Sequence, residues 1–235
     1  MKKIMWFISF ISLLGTAAVM GFLPDSVPMH YDFSGNIDRW GSKYEEFLFP
    51  AVIILMSLFW TVFIRHFEKK AEKATEEKES KEARNNARVL SIVGICMNAM
   101  FTVEHGIILY RAYNEAAAGA DMHSWDIGRI TTVLAGLLLI VLGNITTKTR
   151  KNRIVGVRLA WSMYNDNTWR KTNRFGAIVL MLVGVISVLT GLLLETPAVS
   201  VLILLGALLL GTVIIVIYAH KVYVEEIDLE KHETM

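Results

Sequence analysis

Apolar residues along this chain gather into long runs separated by polar connectors. The runs cover about residues 4–23, 47–67, 89–110, 127–146, 175–194 and 199–219. Some twenty residues of helix, rising 1.5 Å each, cross a ~30 Å hydrocarbon core. The pattern therefore predicts an all-α fold, a polytopic bundle of six transmembrane helices forming one integral membrane domain over residues 1–235. The first run opens like a signal peptide, with Lys2 and Lys3 ahead of it, but it is longer than a signal core and ends in Gly-Phe-Leu-Pro instead of a small-x-small site, so it reads as a retained helix. Small residues at helical spacing, Gly184, Ser187 and Gly191 in the fifth run and Ala207 with Gly211 in the sixth, read as packing positions that let helices approach closely.

Composition changes this picture little. The overall hydrophobic share of 54% is close to that of a soluble protein, and only its concentration into runs is informative. Cys96, the single cysteine, lies inside an apolar run, which excludes a disulfide framework and suits a soft core residue. The net charge of +2 matters less than where the charges lie. With the N-terminus inside, all of the 24 lysines and arginines except Arg39, Lys43, Arg111 and Arg129 fall on the cytoplasmic side, so both termini are expected there. Residues 68–88 alternate Glu and Lys at three- and four-residue separations without Pro or Gly, predicting a charged cytoplasmic hairpin that extends the second and third spans.

Two connectors carry more than charge. Residues 143–176 combine eight cations with Trp161, Tyr164 and Trp169, the mixture expected of a segment lying along a membrane surface. Asn165 or Asn167 offers an N-cap for a helix running through Trp169 and Arg174 into the fifth span, with Trp161 resting among headgroups ahead of it. Residues 24–46 form an external loop module in which Pro24 and Pro28 force extended or turning backbone, Ser34-Gly35-Asn36 is turn chemistry and Trp40-Gly41 sets a ring near the outer headgroups.

At these residues the chain resembles a known family. Pro24, Val27, Pro28, His30, Gly35, Trp40, Gly41, Ser42 and Lys43 follow the pattern of the small extracytoplasmic domain, of unassigned function, found in SdpI-type bacterial membrane proteins. Gly143, Asn144, Asn152, Gly156, Arg158, Trp161, Trp169, Thr172 and Arg174 are similar to that family's second signature. The chain departs from it at Leu159-Ala160, where Thr-Pro is usual, and at Asn173, where His is usual, so a role needing that imidazole does not carry over. The resemblance implies a multi-pass protein of the bacterial cell membrane that protects against a secreted membrane-active toxic peptide. In one signalling branch it also implies recruitment of a cytoplasmic transcriptional repressor, with no direct contact to nucleic acid.

Candidate functional residues fall into three sets. In the external loop, His30, Asp32, Gly35, Asp38, Arg39 and Trp40 offer charged and hydrogen-bonding groups over an aromatic base, either for recognition or to satisfy the turn's own backbone. In the membrane, Asn98, Thr102, His105 and Leu109 share one helix face, while Glu104 points about 100° away; Arg111 or Arg129 could neutralise it, and it either lines a pocket or anchors the helix. On the cytoplasmic side stand Asn144, Asn152, Gly156, Arg158, Trp161, Trp169, Thr172 and Arg174; Arg158 either fixes the loop or faces a partner or lipid phosphate. His30, Asp32 and His123 match no metal-ligand spacing, and no nucleophile constellation stands out, so neither a metal, a cofactor nor catalysis is expected. The lipid bilayer is the first partner, with a toxic peptide outside and a repressor inside as further ones. An ion or solute carrier using Glu104 and His105, and a membrane enzyme, are the alternatives.

Overall fold

Lipid tails are as apolar as leucine, so helices in a bilayer gain little by burying greasy side chains and must associate through close backbone contact or polar groups. The fold follows that rule. A computed structural model describes residues 1–32, 36–117, 127–147, 151 and 155–233. It contains α1 (Lys2–Val19), α2 (Leu48–Lys73), α3 (Glu77–Ala117), α4 (Ile127–Thr146), α5 (Asp166–Leu193) and α6 (Pro197–Glu233), together with strands β1 (Ser26–Tyr31) and β2 (Ile37–Ser42). Six helices are long and apolar enough to cross a membrane, and the predicted all-α bundle is what forms.

Helices α1–α3 make one half of the bundle. The buried face of α1 is Met5, Ser9, Ser12 and Thr16, while Phe7, Phe10, Ile11 and Leu14 point outward. Ser9 Oγ lies 2.7 Å from Ser57 Oγ, and the Asn98 amide donates to Ser57 and, at 3.4 Å, to Ser9. Trp6 Nε1 donates to Thr61 Oγ1 at 3.1 Å. Helices α4–α6 make the other half, and here the contact is backbone on backbone. A Cβ on Gly136 would stand 2.6 Å from the Gly184 carbonyl, and one on Gly184 would stand 2.6 Å from that of Gly136. Gly143 and Gly191 repeat the arrangement against Ala177 and Arg129. Helices α3 and α4 form the seam between the halves.

Helix ends differ from the apolar runs for local reasons. Only α4 has the predicted bounds; α3 and α6 extend over 41 and 37 residues because hydropathy marks the membrane-crossing part and not the charged turns that continue it. The first helix stops at Val19, short of the predicted Leu23, since Pro24 disfavours helical backbone at the residue before it. Leu23 then turns inward and is buried with Val27 and Ala112. Within residues 24–46, expected to be extended or turning, an antiparallel hairpin forms, pairing Ser26 with Ser42 and Tyr31 with Ile37, irregular around His30. A short 3-10 turn, Lys43–Phe47, joins it to α2 and is closed by a capping box between Ser42 and Glu45.

Candidate functional site

At the hairpin end of the bundle the side chains of β1 are tied to α3. Tyr31 Oη donates to Glu115 at 2.6 Å, Arg111 donates to the same carboxylate at 2.6 and 3.2 Å, and the guanidinium lies 4.3 Å from the centre of the Tyr31 ring. Burial, with the hydrogen bond to Glu115 adding to it, pushes the Tyr31 phenol well above its ordinary value. The phenol therefore stays neutral, and the stability it contributes is intact below the ordinary tyrosine range and is lost only as pH rises through the raised value. Lys43 bridges to Asp25 at 3.0 Å and to the Leu23 carbonyl at 3.2 Å, pinning the other strand.

Beneath the hairpin opens a cleft of about 830 Å³, within the range of sites that bury a small ligand or peptide segment. Its wall is mostly apolar and comes from both halves: Met29 of β1, Phe49 of α2, Ile108 of α3, Ile127 of α4, and Val201 with Leu205 of α6. Of the charged residues that line it, Glu46 and Arg111 are the buried ones, 1% and 2% exposed. Arg111 is occupied by Glu115. Glu46 is not so matched: its Oε2 lies 3.4 Å from His105 Nε2, near enough for an ion pair with a protonated ring but not aligned for a hydrogen bond, and its Oε1 has no hydrogen-bond partner among the described residues. His105 is stacked on Phe49 with centroids 5.0 Å apart, and its Nδ1 is 3.4 Å from Ser12 Oγ.

The sequence-predicted residues separate accordingly. His30 and Asp32 line the cleft mouth, yet His30 pairs with Asp38 at 2.6 Å and Asp32 accepts from Asn36. Arg39 pairs with Glu45, and Trp40 is exposed on β2. Gly35, Asn152 and His123 lie outside the described residues. Asn98 and His105 share the interior of the first half, whereas Glu104 turns to the seam and accepts a hydrogen bond from Thr131 of α4. Neither arginine neutralises it. Arg129 instead donates to the Gly191 and Leu192 carbonyls at 3.1 and 2.9 Å, closing the end of α5. Sequence reasoning missed Glu46, because an acidic pair just before an apolar run looks like an interfacial anchor. Only the fold turns one of the two inward.

At the opposite end, residues 155–176 fold over the start of α5. Asn165 is the N-cap, accepting from Asn167 N and Thr168 N at 3.0 and 2.8 Å. Gly156 has φ of +120°, and a Cβ there would run into Asn173 and the Trp169 ring. The Asn173 amide replaces a helix-to-loop connection, accepting from Val157 N at 2.7 Å and donating to the Trp169 carbonyl at 3.0 Å. Trp169 and Thr172 are buried in this fold, so Trp169 is a core ring of the loop and not an interfacial one. Trp161 meets His220 of α6 edge-on, 4.7 Å between centroids. Asn144, whose carbonyl accepts from Thr147, precedes the loop on α4.

The loop is fastened to α6 by acids that the signature did not flag. Asn165 and Asn167 donate to the two oxygens of Glu226 at 2.9 and 2.6 Å, and Tyr164 Oη donates to Glu230 at 2.7 Å. The hydrogen bond from Asn165, partly opposed by desolvation and helped by that from Asn167, holds the Glu226 carboxyl below its ordinary range. Arg158, Arg170 and Arg174 remain exposed. Arg158 lines a groove of about 580 Å³ with Phe63, His66 and Phe67 of α2, reaching across to the first half.

Comparison with known proteins finds two separate matches along the chain. Residues 7–54, which include the hairpin, match a domain of unknown function, DUF1648, and residues 148–219, which include the loop and most of α5 and α6, match the SdpI/YfhL protein family. The chain is 22% identical over 215 residues to the immunity protein SdpI of Bacillus subtilis (strain 168), covering 91% of each protein. No solved structure matches.

Proposed function

Because this chain belongs to the SdpI-type family of multi-pass cell-membrane proteins, we propose that it confers immunity to a secreted membrane-active toxic peptide. In this reading the hairpin-side cleft receives an apolar segment of that peptide before it inserts elsewhere in the bilayer. The observation that carries the proposal is the cleft itself: a largely apolar hollow of about 830 Å³, roofed by the hairpin and lined by both halves of the bundle. The cation distribution supports a hairpin that faces outward, where such a peptide arrives. Val201→Trp would fill the hollow from α6 without replacing a charged group. Expressed in a sensitive strain at normal abundance, it should lose protection; full protection by that variant would overturn the proposal.

A signalling role at the other end has separate support. The loop is fixed to α6 through Glu226 and Glu230 and leaves Arg158, Arg170 and Arg174 exposed, a rigid cationic platform suited to an acidic face of a cytoplasmic repressor. Arg158→Lys keeps the charge and loses the planar fork. It should leave abundance and protection unchanged while reducing any peptide-dependent transcriptional response, and an unaltered response would remove this role.

A further inference from the structure

Resting on the reading of the cleft as the peptide's receiving site, we infer that the site selects a cationic segment, and that Glu46 is the residue that recognises its ammonium group. Three observations lead there. Glu46 is 1% exposed and lines the cleft, so its carboxylate has lost its water shell. Its Oε1 has no hydrogen-bond partner among the described residues, whereas a buried carboxylate oxygen is ordinarily matched. The other buried charged group in the wall, Arg111, already shares Glu115 and the Tyr31 ring, so the positive charge of the wall is balanced from within the protein. What the wall leaves open is one acceptor, in an apolar hollow, at the hairpin end of α2.

An ammonium on an otherwise apolar body fits that arrangement. The body occupies the surfaces of Phe49, Ile108, Val201 and Leu205, and an N–H of the ammonium completes the second oxygen of Glu46 while His105 stands by the first. A carboxylate or phosphate at the same depth would meet Glu46 with like charge, and a neutral segment would leave Oε1 unmatched. A lysine or free N-terminus of an apolar peptide is thus the occupant. Asp32 and the His30–Asp38 pair at the mouth add acidic groups along its way in.

The test uses the full chain in discs of phosphatidylcholine, whose headgroup carries no N–H, with binding to protein-free discs subtracted. The probes are a dansyl-labelled leucine-alanine decapeptide bearing one lysine and the same peptide with glutamine in its place. The lysine peptide should bind roughly tenfold more tightly than the glutamine peptide, the scale of one charge-assisted hydrogen bond. In Glu46→Gln the ratio should fall to about one, with the glutamine peptide unaffected. Equal binding of the two peptides to the wild-type protein overturns the inference without need of the variant, as does a ratio unchanged in Glu46→Gln. Loss of the lysine preference when phosphatidylethanolamine is added also overturns it, by assigning the acceptor to a lipid ammonium. The immunity reading is tested apart from this: it fails if Val201→Trp protects cells, whatever the peptide ratio.

Discussion

Helices α1–α3 and helices α4–α6 sit in the same lipid and are held by different chemistry. In the first half the contacts are made by Ser9, Ser57, Thr61 and Asn98, hydrogen-bonded across helices. In the second they are made by Gly136, Gly143, Gly184 and Gly191, whose missing side chains bring backbones together. The difference bears on function. Close glycine packing leaves little polar surplus, and it gives a stiff support for the loop at 155–176. A polar interior need not be fully matched. Of the six buried polar atoms without a hydrogen-bond partner among the described residues, five belong to the first half: Glu46 Oε1, Asn86 Oδ1, Asn98 Oδ1, Thr102 Oγ1 and His105 Nε2. Spare polar capacity of this kind suits a half that binds something, and one of those atoms, Glu46 Oε1, belongs to a residue that lines the cleft.

Breaking the glycine half should have the largest effect. Gly184→Val places carbon 2.6 Å from the Gly136 carbonyl oxygen, and the helices can relieve the clash only by giving up their contact along α4. A loss of about 3 kcal/mol is expected, read as a lowered unfolding temperature in mild detergent and reduced abundance. Asn98→Ala attacks the polar half and should cost less, roughly 1–2 kcal/mol for the bonds to Ser57 and Ser9, because an unfolded chain in the membrane finds other partners. Should the two variants prove equally damaging, the halves do not differ as described.

Two smaller effects sharpen the contrast between the ends. Tyr31→Phe removes the hydrogen bond to Glu115 but keeps the ring under Arg111, so a cost of about 1 kcal/mol is expected. It should appear as faster amide exchange in the hairpin, with the helices unchanged. Glu226→Gln should be milder still, since the carboxylate is solvent-accessible and screened. Its pH dependence is the cleaner readout. The folded-state value is depressed, so the stabilisation is complete above the ordinary carboxylate range and disappears as pH falls through the depressed value. Protection of the 164–168 amides, taken relative to their intrinsic exchange rate at each pH, should therefore fall in acid in the wild type, and in Glu226→Gln it should be low and insensitive to pH over that window.

The amount legible in the sequence followed the range of the forces involved. Six spans could be read because crossing a bilayer imposes length and hydropathy on contiguous residues. The cap of α5 could be narrowed to Asn165 or Asn167 because capping is local in sequence, and it is Asn165. The hairpin could not: its strands are six residues long, one carries Pro28, and pairing depends on docking Val27 against Leu23 and Ala112. Nor could the partners of Glu104, Arg111 and Arg129, since helical phase fixes a direction but not which helix stands there. Glu46 and Glu226 were invisible for the same reason; each looks like an ordinary interfacial acid until α3 or α5 is brought beside it. Trp169 shows the converse error, an aromatic residue near a membrane boundary that is core to a loop and 2% exposed.

The proposed immunity depends on the hairpin-side cleft as the place where peptide is held. A photoreactive benzophenone side chain at Leu202, which lines the cleft on α6, can be compared with one at Leu189 on α5, which is similarly exposed and a similar number of residues from the hairpin end of its helix. On illumination in cells exposed to the toxic peptide, cross-linking should be strong at Leu202 and near background at Leu189. Equal cross-linking at the two positions would mean that the peptide meets this protein only as it meets lipid, and would contradict its retention in the cleft.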